Sequence, residues 1–418
     1  MRDRARSVVF LVVLSVSLSV ASAATAELAE ESAQPETPEI EALRESFETL
    51  RREYESRIAV LEVRLQALEQ ERAESPQAAA PRASVAPTSP VSGGGGSSSN
   101  VFNPDVAVIG NFVGASGTSS VDPQPSLELG EAELSLQAVV DPYARADFFL
   151  TFGPEEVGIE EGYLTFTELP GGFLGKVGKF KAGFGKVNVT HPHTLPWADK
   201  PLVFLNLLGG DEGVAQSGLA LSHLIPNDAV FVEATAEVSF GASELFDSPR
   251  RSDLTYAGRL RAYRDLSDST NLEIGGSILY GTSPLGPGFH SRVIGTDATL
   301  RWRPLRRAIY RSFVARTELL WSQRDLAQQR ADSFGFYASA DLQLARRWYA
   351  GVRYDWSEHA EDATLHDRGG SALLSFRPSE FSQIRGQYRR TEYAEGQTAN
   401  EFLLQFLFSI GAHGAHAF

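Results

Sequence analysis

The strongest regularity in the chain is a strict alternation of apolar and polar positions, which recurs from about residue 101 to the end. Successive side chains of a strand point to opposite faces, so this alternation marks strands with two unlike faces. Between 334 and 344, Phe334, Phe336, Ala338, Ala340, Leu342 and Leu344 fall on one face, and Gly335, Tyr337, Ser339, Asp341 and Gln343 on the other. Next, Trp348, Ala350, Val352, Tyr354 and Trp356 oppose Tyr349, Gly351, Arg353 and Asp355. Near the end, Phe402, Leu404, Phe406, Phe408 and Ile410 oppose Leu403, Gln405, Leu407 and Ser409. Aromatic residues stand at both ends of the apolar face from Trp348 to Trp356. Bilayer-crossing strands place interfacial girdles there, and a soluble sandwich has no need of them.

The pattern predicts about sixteen strands, centred near 109, 134, 148, 163, 180, 219, 235, 259, 275, 298, 316, 339, 352, 371, 386 and 406. Their connections alternate in length. Short ones hold Asp141-Pro142, Pro170-Gly171-Gly172, Pro226-Asn227-Asp228, Asp265 to Ser269, Pro304-Leu305, Arg346-Arg347 and Pro378-Ser379. The others are mostly longer: 114–126, 187–213, 241–252, 282–290, 323–332, 358–366 and 392–399, with a short exception at 153–157. The fold class expected is all-β, a transmembrane antiparallel β-barrel of about 16 strands over 101–418, preceded by an α-helical coiled-coil segment. A soluble sandwich or propeller would need its apolar faces to meet each other, and the chain carries no repeat signature for it.

Ahead of the strands the pattern changes. Arg2, Arg4 and Arg6, an apolar run from Val8 to Val20 and Ala21-Ser22-Ala23 predict a signal peptide over 1–23. From 38 to 75, Ile40, Leu43, Phe47, Leu50 and Tyr54 follow three-and-four spacing, and Ile58, Leu61, Leu65 and Leu68 resume it after a four-residue stutter. That is a coiled coil, expected in the periplasm. Residues 76–100, ending in Gly93 to Gly96 and Ser97 to Ser99, read as a flexible linker.

Composition narrows the functions. There is no cysteine, so thiol chemistry is excluded, and with only one methionine the core does not rely on soft gap-filling side chains. A net charge of −15 argues against nucleic acid as a partner. No nucleophile elbow, zinc-protease helix or phosphate-binding loop motif occurs, so no enzyme and no cofactor are expected. His191-Pro192-His193 and the pair His413 and His416 have metal-chelating spacing but no evident carboxylate partner; the expectation is exposed histidine and no metal.

If the apolar faces meet lipid, the polar faces line a lumen. Candidate pore-lining residues are Lys179, Lys181, Arg353, Arg385, Arg389, Asp341 and Asp355. Strands thirteen and fifteen, taken as neighbours, lean basic through Arg353, Arg385 and Arg389. Such charges either set a local field or brace the wall by pairing. Connection 187–213 is unusually apolar, with Leu195, Trp197, Leu202, Val203, Phe204, Leu205, Leu207 and Leu208. It should fold inward or latch onto a neighbouring subunit.

This architecture resembles the general porins, in which the loop joining strands five and six narrows the pore. By that resemblance Asp199, Lys200, Asp211 and Glu212 edge a constriction. Signal peptide, heptads, linker, barrel and the run Gly175-Lys176-Val177-Gly178-Lys179-Phe180-Lys181 together resemble the phosphate- and polyphosphate-selective porins. The terminal Phe418 resembles the assembly signal of outer-membrane barrels, although Ala412 to Ala417 interrupts the alternation, so the last strand should end near Gly411. The resemblance implies an outer-membrane homotrimer in contact with lipid, passing small anions or other hydrophilic solutes by diffusion. A structural or adhesive barrel tethered through its coiled coil, or a metal-related transporter, would share the same architecture.

Overall fold

Alternating segments of this kind satisfy their backbone groups only by pairing side by side, and a sheet of them leaves no exposed edge only if it closes on itself. The chain does this. The structure, a computed structural model, describes residues 104–121, 123–153, 157–394 and 396–411. The expected signal peptide, coiled coil and linker, and the tail beyond Gly411, lie outside the described residues.

Sixteen strands follow in order: β1 (Asp105–Thr118), β2 (Glu128–Asp141), β3 (Ala144–Phe152), β4 (Val157–Leu169), β5 (Phe173–Lys181), β6 (Ala215–Ile225), β7 (Phe231–Phe240) and β8 (Leu254–Ser267). The second half comprises β9 (Thr270–Thr282), β10 (His290–Trp302), β11 (Phe313–Asp325), β12 (Arg330–Ala345), β13 (Trp348–Glu358), β14 (His366–Ser379), β15 (Ser382–Glu392) and β16 (Thr398–Gly411). Each pairs antiparallel with its sequence neighbours, and β1 closes on β16 with Ala107 opposite Gly411. Every predicted centre falls inside one strand, and β16 ends at Gly411 as expected.

The two faces separate as the alternation requires. Val352 and Tyr354 point outward, 57% and 47% exposed, while Arg353 and Asp355, which alternate with them, point inward and are buried. Trp321, Phe334, Phe336, Tyr354 and Trp356 form an outward aromatic band near the long-loop end. Trp348 and Phe376 pack together near the other end. An apolar belt of this extent fits lipid rather than water.

Two connections depart from expectation. Strands β11 and β12 continue to Asp325 and from Arg330, so the loop expected over 323–332 shrinks to 326–329. The turn expected at Pro304-Leu305 is instead a longer coil over 303–312, in which Arg307 and Tyr310 donate backbone hydrogen bonds to Pro304 and Arg307. Pro304 marks only where the strand stops. Strand β4 carries a β-bulge that the local alternation does not show. Phe149 faces Glu161 and Leu150 faces Ile159, so Glu160 is an extra residue. It breaks the alternation, and Glu160 and Glu161 both reach the same interior histidine.

The apolar core lies inside the barrel. Residues 182–214, joining β5 to β6, carry a 3-10 turn (Pro192–Thr194) and a short helix α1 (Leu202–Leu207). Phe184, Leu195, Trp197, Val203, Phe204, Leu207 and Leu208 of this segment pack in one cluster with inward Leu279, Val293, Leu320 and Tyr337 of the wall. Burying each such side chain stabilises by about 1.5–3 kcal/mol. The wall makes room with glycine: a Cβ on Gly295 of β10 would lie 2.6 Å from the Phe184 ring.

Candidate functional site

The interior segment is fastened at two places. On the wall formed by β13 to β16, Asp199 lies 3.1 Å from Arg353 and 3.1 Å from Arg389, and accepts a hydrogen bond from the Gln387 amide at 2.5 Å. Arg353 also pairs with Asp355 at 2.7 Å, and Arg389 with Glu401 at 2.7 Å. Arg385, 2% exposed, donates to the carbonyls of Trp197 and Leu195 and to the Gln405 side chain. Trp197 is stacked beneath Arg353, 4.9 Å from ring to guanidinium, and edge-on to Tyr337. Burial alone would push the Asp199 carboxyl up, but the Arg353 and Arg389 guanidiniums outweigh it and hold it below its ordinary value. Glu318 supports the middle of the segment, accepting from the Val187 backbone at 2.9 Å and the Tyr337 hydroxyl at 3.0 Å. Lys186 reaches Glu273, yet burial still lowers its pKa.

The second fastening faces β2 and β4. His191 lies against the Phe149 ring, with Nδ1 2.8 Å from Glu133 and 3.1 Å from Glu160, and Nε2 2.9 Å from Glu161. Lys181 pairs with Glu160 at 2.6 Å. Burial would depress the imidazole, but hydrogen bonds to Glu133, Glu160 and Glu161 prevail and raise its pKa to about 11. The expectation of exposed histidines is therefore corrected: His191 and His193 are buried. Their carboxylate partners come from strands far away in sequence, which local spacing cannot reveal.

A cavity borders the segment on either side. The larger, about 920 Å³, opens toward the long loops, and Asp199, Lys200, Asp211 and Glu212 all line it. Lys200 reaches the Asp211 carbonyl and lies over the Phe204 ring at 5.2 Å. Burial lowers the Lys200 pKa. The smaller, about 450 Å³, opens toward the short turns and is lined by Lys176, Lys181, Lys186, Arg261, Arg301 and Arg316 among others. Leu195 borders both.

Most predicted lining residues do face inward: Lys181, Arg353, Asp355, Arg385, Arg389, and Asp341, which accepts from Arg316 at 2.5 Å. Lys179 does not. It lies opposite Gly162 and Ser217, in a row whose next members, Phe148 and Phe240, are exposed outward. Its ammonium turns to the Ile159 carbonyl. Lys176, 4.0 Å over the Tyr163 ring, does line the smaller cavity. Lys176 and Lys179, three apart, lie on opposite faces, whereas Lys181 shares the parity of Lys179 and turns inward only at the end of β5, where it pairs with Glu160. Strands β13 and β15 are likewise not neighbours, because β14 lies between them. Arg353 and Arg389 meet through Asp199, and Arg353 and Arg385 through Trp197.

The barrel has the fold of outer-membrane porins. An anion-selective porin from Comamonas acidovorans superposes with a TM-score of 0.51 at 10% identity, covering 73% of this chain and all 100% of its own. A loop-L8 deletion mutant of OmpT, an outer membrane protein of Vibrio cholerae, gives 0.51 at 11% identity over 73% of this chain and 99% of that one. No family model matches the chain. Sequence similarity reaches an uncharacterized protein of Aquifex aeolicus (strain VF5), 30% identical over an alignment 336 residues long that covers 69% of this chain and 70% of the relative. The chain belongs to the same family as that Aquifex aeolicus protein.

Proposed function

We propose that the protein is an outer-membrane porin through which small hydrophilic solutes and ions diffuse passively, with segment 182–214 narrowing the lumen. The observation that carries this reading is the pair of cavities, about 920 and 450 Å³, on the two sides of a segment packed against the inner wall. Charged side chains of both signs line them, as an aqueous path requires. Many are already paired, Arg353 with Asp355 and Arg316 with Asp341 among them. That balance supports a broad diffusion pore over a dedicated phosphate or polyphosphate site. The same reading includes a homotrimer, a barrel set in outer-membrane lipid and the coiled coil over 38–75 in the periplasm; the aromatic bands and the heptad seam support these.

Planar-bilayer conductance of the refolded protein tests the proposal. Discrete steps, grouped in threes, are expected. A barrel that migrates as folded on a heat-modifiability gel yet carries no current would overturn it and favour a plugged, structural role.

A further inference from the structure

Segment 182–214 needs no metal to pack its apolar half, but its histidine end has a different character. Four carboxylates, Glu131, Glu133, Glu160 and Glu161, converge on His191, His193 and Lys181 in the barrel interior. One donor atom each from Glu133, His191 and His193 lies within 4.8 Å of the others, and the same holds for Glu131, Glu133 and Glu160. Glu133 is 1% exposed, and its Oε1 is buried without a hydrogen bond. A buried carboxylate oxygen left without a donor is costly unless a cation meets it.

The spacing suits metal ligation. Nδ1 of His191 lies 2.8 Å from Glu133 Oε2 and 3.1 Å from Glu160 Oε2, and Nδ1 of His193 lies 3.5 Å from Glu133 Oε2. Ligand atoms around a four-coordinate ion with bonds of ~2.1 Å stand about 3.4 Å apart, so small rotations would bring these onto one centre. Glu161 completes the pattern: at 2.9 Å from Nε2 of His191, it fixes the ring from behind and leaves Nδ1 toward the cluster. A carboxylate behind a ligating imidazole is the usual supporting arrangement in protein metal sites. Two imidazoles select a borderline transition ion over calcium or magnesium, which prefer oxygen throughout.

We propose that Glu133, Glu160, His191 and His193 bind a divalent transition-metal ion of the zinc class, with Glu161 as the positioning residue for His191. The ion ties segment 182–214 to the β2–β4 wall, as Asp199 ties it to Arg353 and Arg389. The site stands whether or not the barrel conducts.

Cobalt(II) titration of the chelator-treated, refolded full chain tests this, because a nitrogen-ligated, four-coordinate cobalt ion shows visible ligand-field bands. The chain and all variants carry His413→Ala and His416→Ala, so that this pair adds no signal. A single tightly bound cobalt per chain, displaced by zinc, is expected. His193→Ala and Glu133→Gln should lose the bands, and Glu161→Gln should weaken affinity ~10- to 100-fold while keeping them. Each variant is scored only on barrel that migrates as folded, and if one fails to fold, Glu161→Gln and His193→Ala decide. Equal cobalt binding by the parent chain and His193→Ala, or no binding by the folded parent chain, would overturn the proposal and leave the cluster as a set of ion pairs.

Discussion

Asp199 concentrates the logic of the interior at one residue. Its carboxylate, 15% exposed, touches two guanidiniums that would otherwise be buried beside one another without it. Removing one partner from such a set costs about 3–5 kcal/mol, because the remaining charges lose their compensation. Asp199→Asn should therefore lower the thermal stability of the refolded barrel in detergent. The pH dependence has a definite sign. The folded-state pKa of Asp199 is below its ordinary 3.8, so the carboxylate contributes in full above that value and loses its contribution as pH falls through the lowered folded value. The gap in melting temperature between wild type and Asp199→Asn should stay constant from neutral pH to about pH 5 and close only under stronger acid. A gap that closes near neutrality would mean that some other group carries the effect.

At the scale of elements, the interior segment and the strand beneath it fit through the absence of a side chain. Phe184 occupies the space over Gly295, and the neighbouring inward positions on β10 are Val293 and Asp297. Gly295→Val suits a strand by propensity, so the barrel should still close, but the Phe184 ring must leave. Overpacking of ~1–3 kcal/mol should raise the rate of tryptic cleavage after Lys186 roughly tenfold or more, with folded migration of the barrel unchanged. Unchanged cleavage would show that the segment does not depend on this seat. The strands themselves were legible because a two-residue period is local: Trp348 to Trp356 announces its two faces without reference to any other strand. Parity separates Lys176 from Lys179 but groups Lys179 with Lys181, so it does not by itself place these three lysines. The rest was hidden for physical reasons. The bulge at Glu160 adds one residue against β3 and leaves no mark in composition, while the partners of His191 lie 58 and 30 residues away at Glu133 and Glu161. Apolar residues from Leu195 to Leu208 declared that this segment must be covered, but not by which wall.

For the whole molecule, the placement of charge that remains after pairing sets what a conducting barrel would prefer. Toward the short turns, Arg259, Arg261 and Arg316 are met by Asp297, Glu233 and Asp341, and Lys186 by Glu273. The opposite cavity is less balanced: once Arg353 and Arg389 are matched by Asp199, Asp355 and Glu401, Glu128, Asp211 and Glu212 still stand at its edge. Exposed carboxylates at a mouth raise the local cation concentration over one screening length, which is ~10 Å at 0.1 M salt and ~3 Å at 1 M. The reversal potential in a potassium chloride gradient should therefore show cation preference when both solutions are at or below about 0.1 M, and the preference should fade toward 1 M. Asp211→Asn with Glu212→Gln should reduce it at low salt and leave the high-salt conductance nearly unchanged, since both side chains are exposed and hold no part of the packed core. Anion preference at low salt, or a double variant indistinguishable from wild type there, would move the selective step to the basic cavity around Lys176 and Arg301. The field of the cations that pairing does not match there, Lys176 first among them, would then outweigh that of the open mouth.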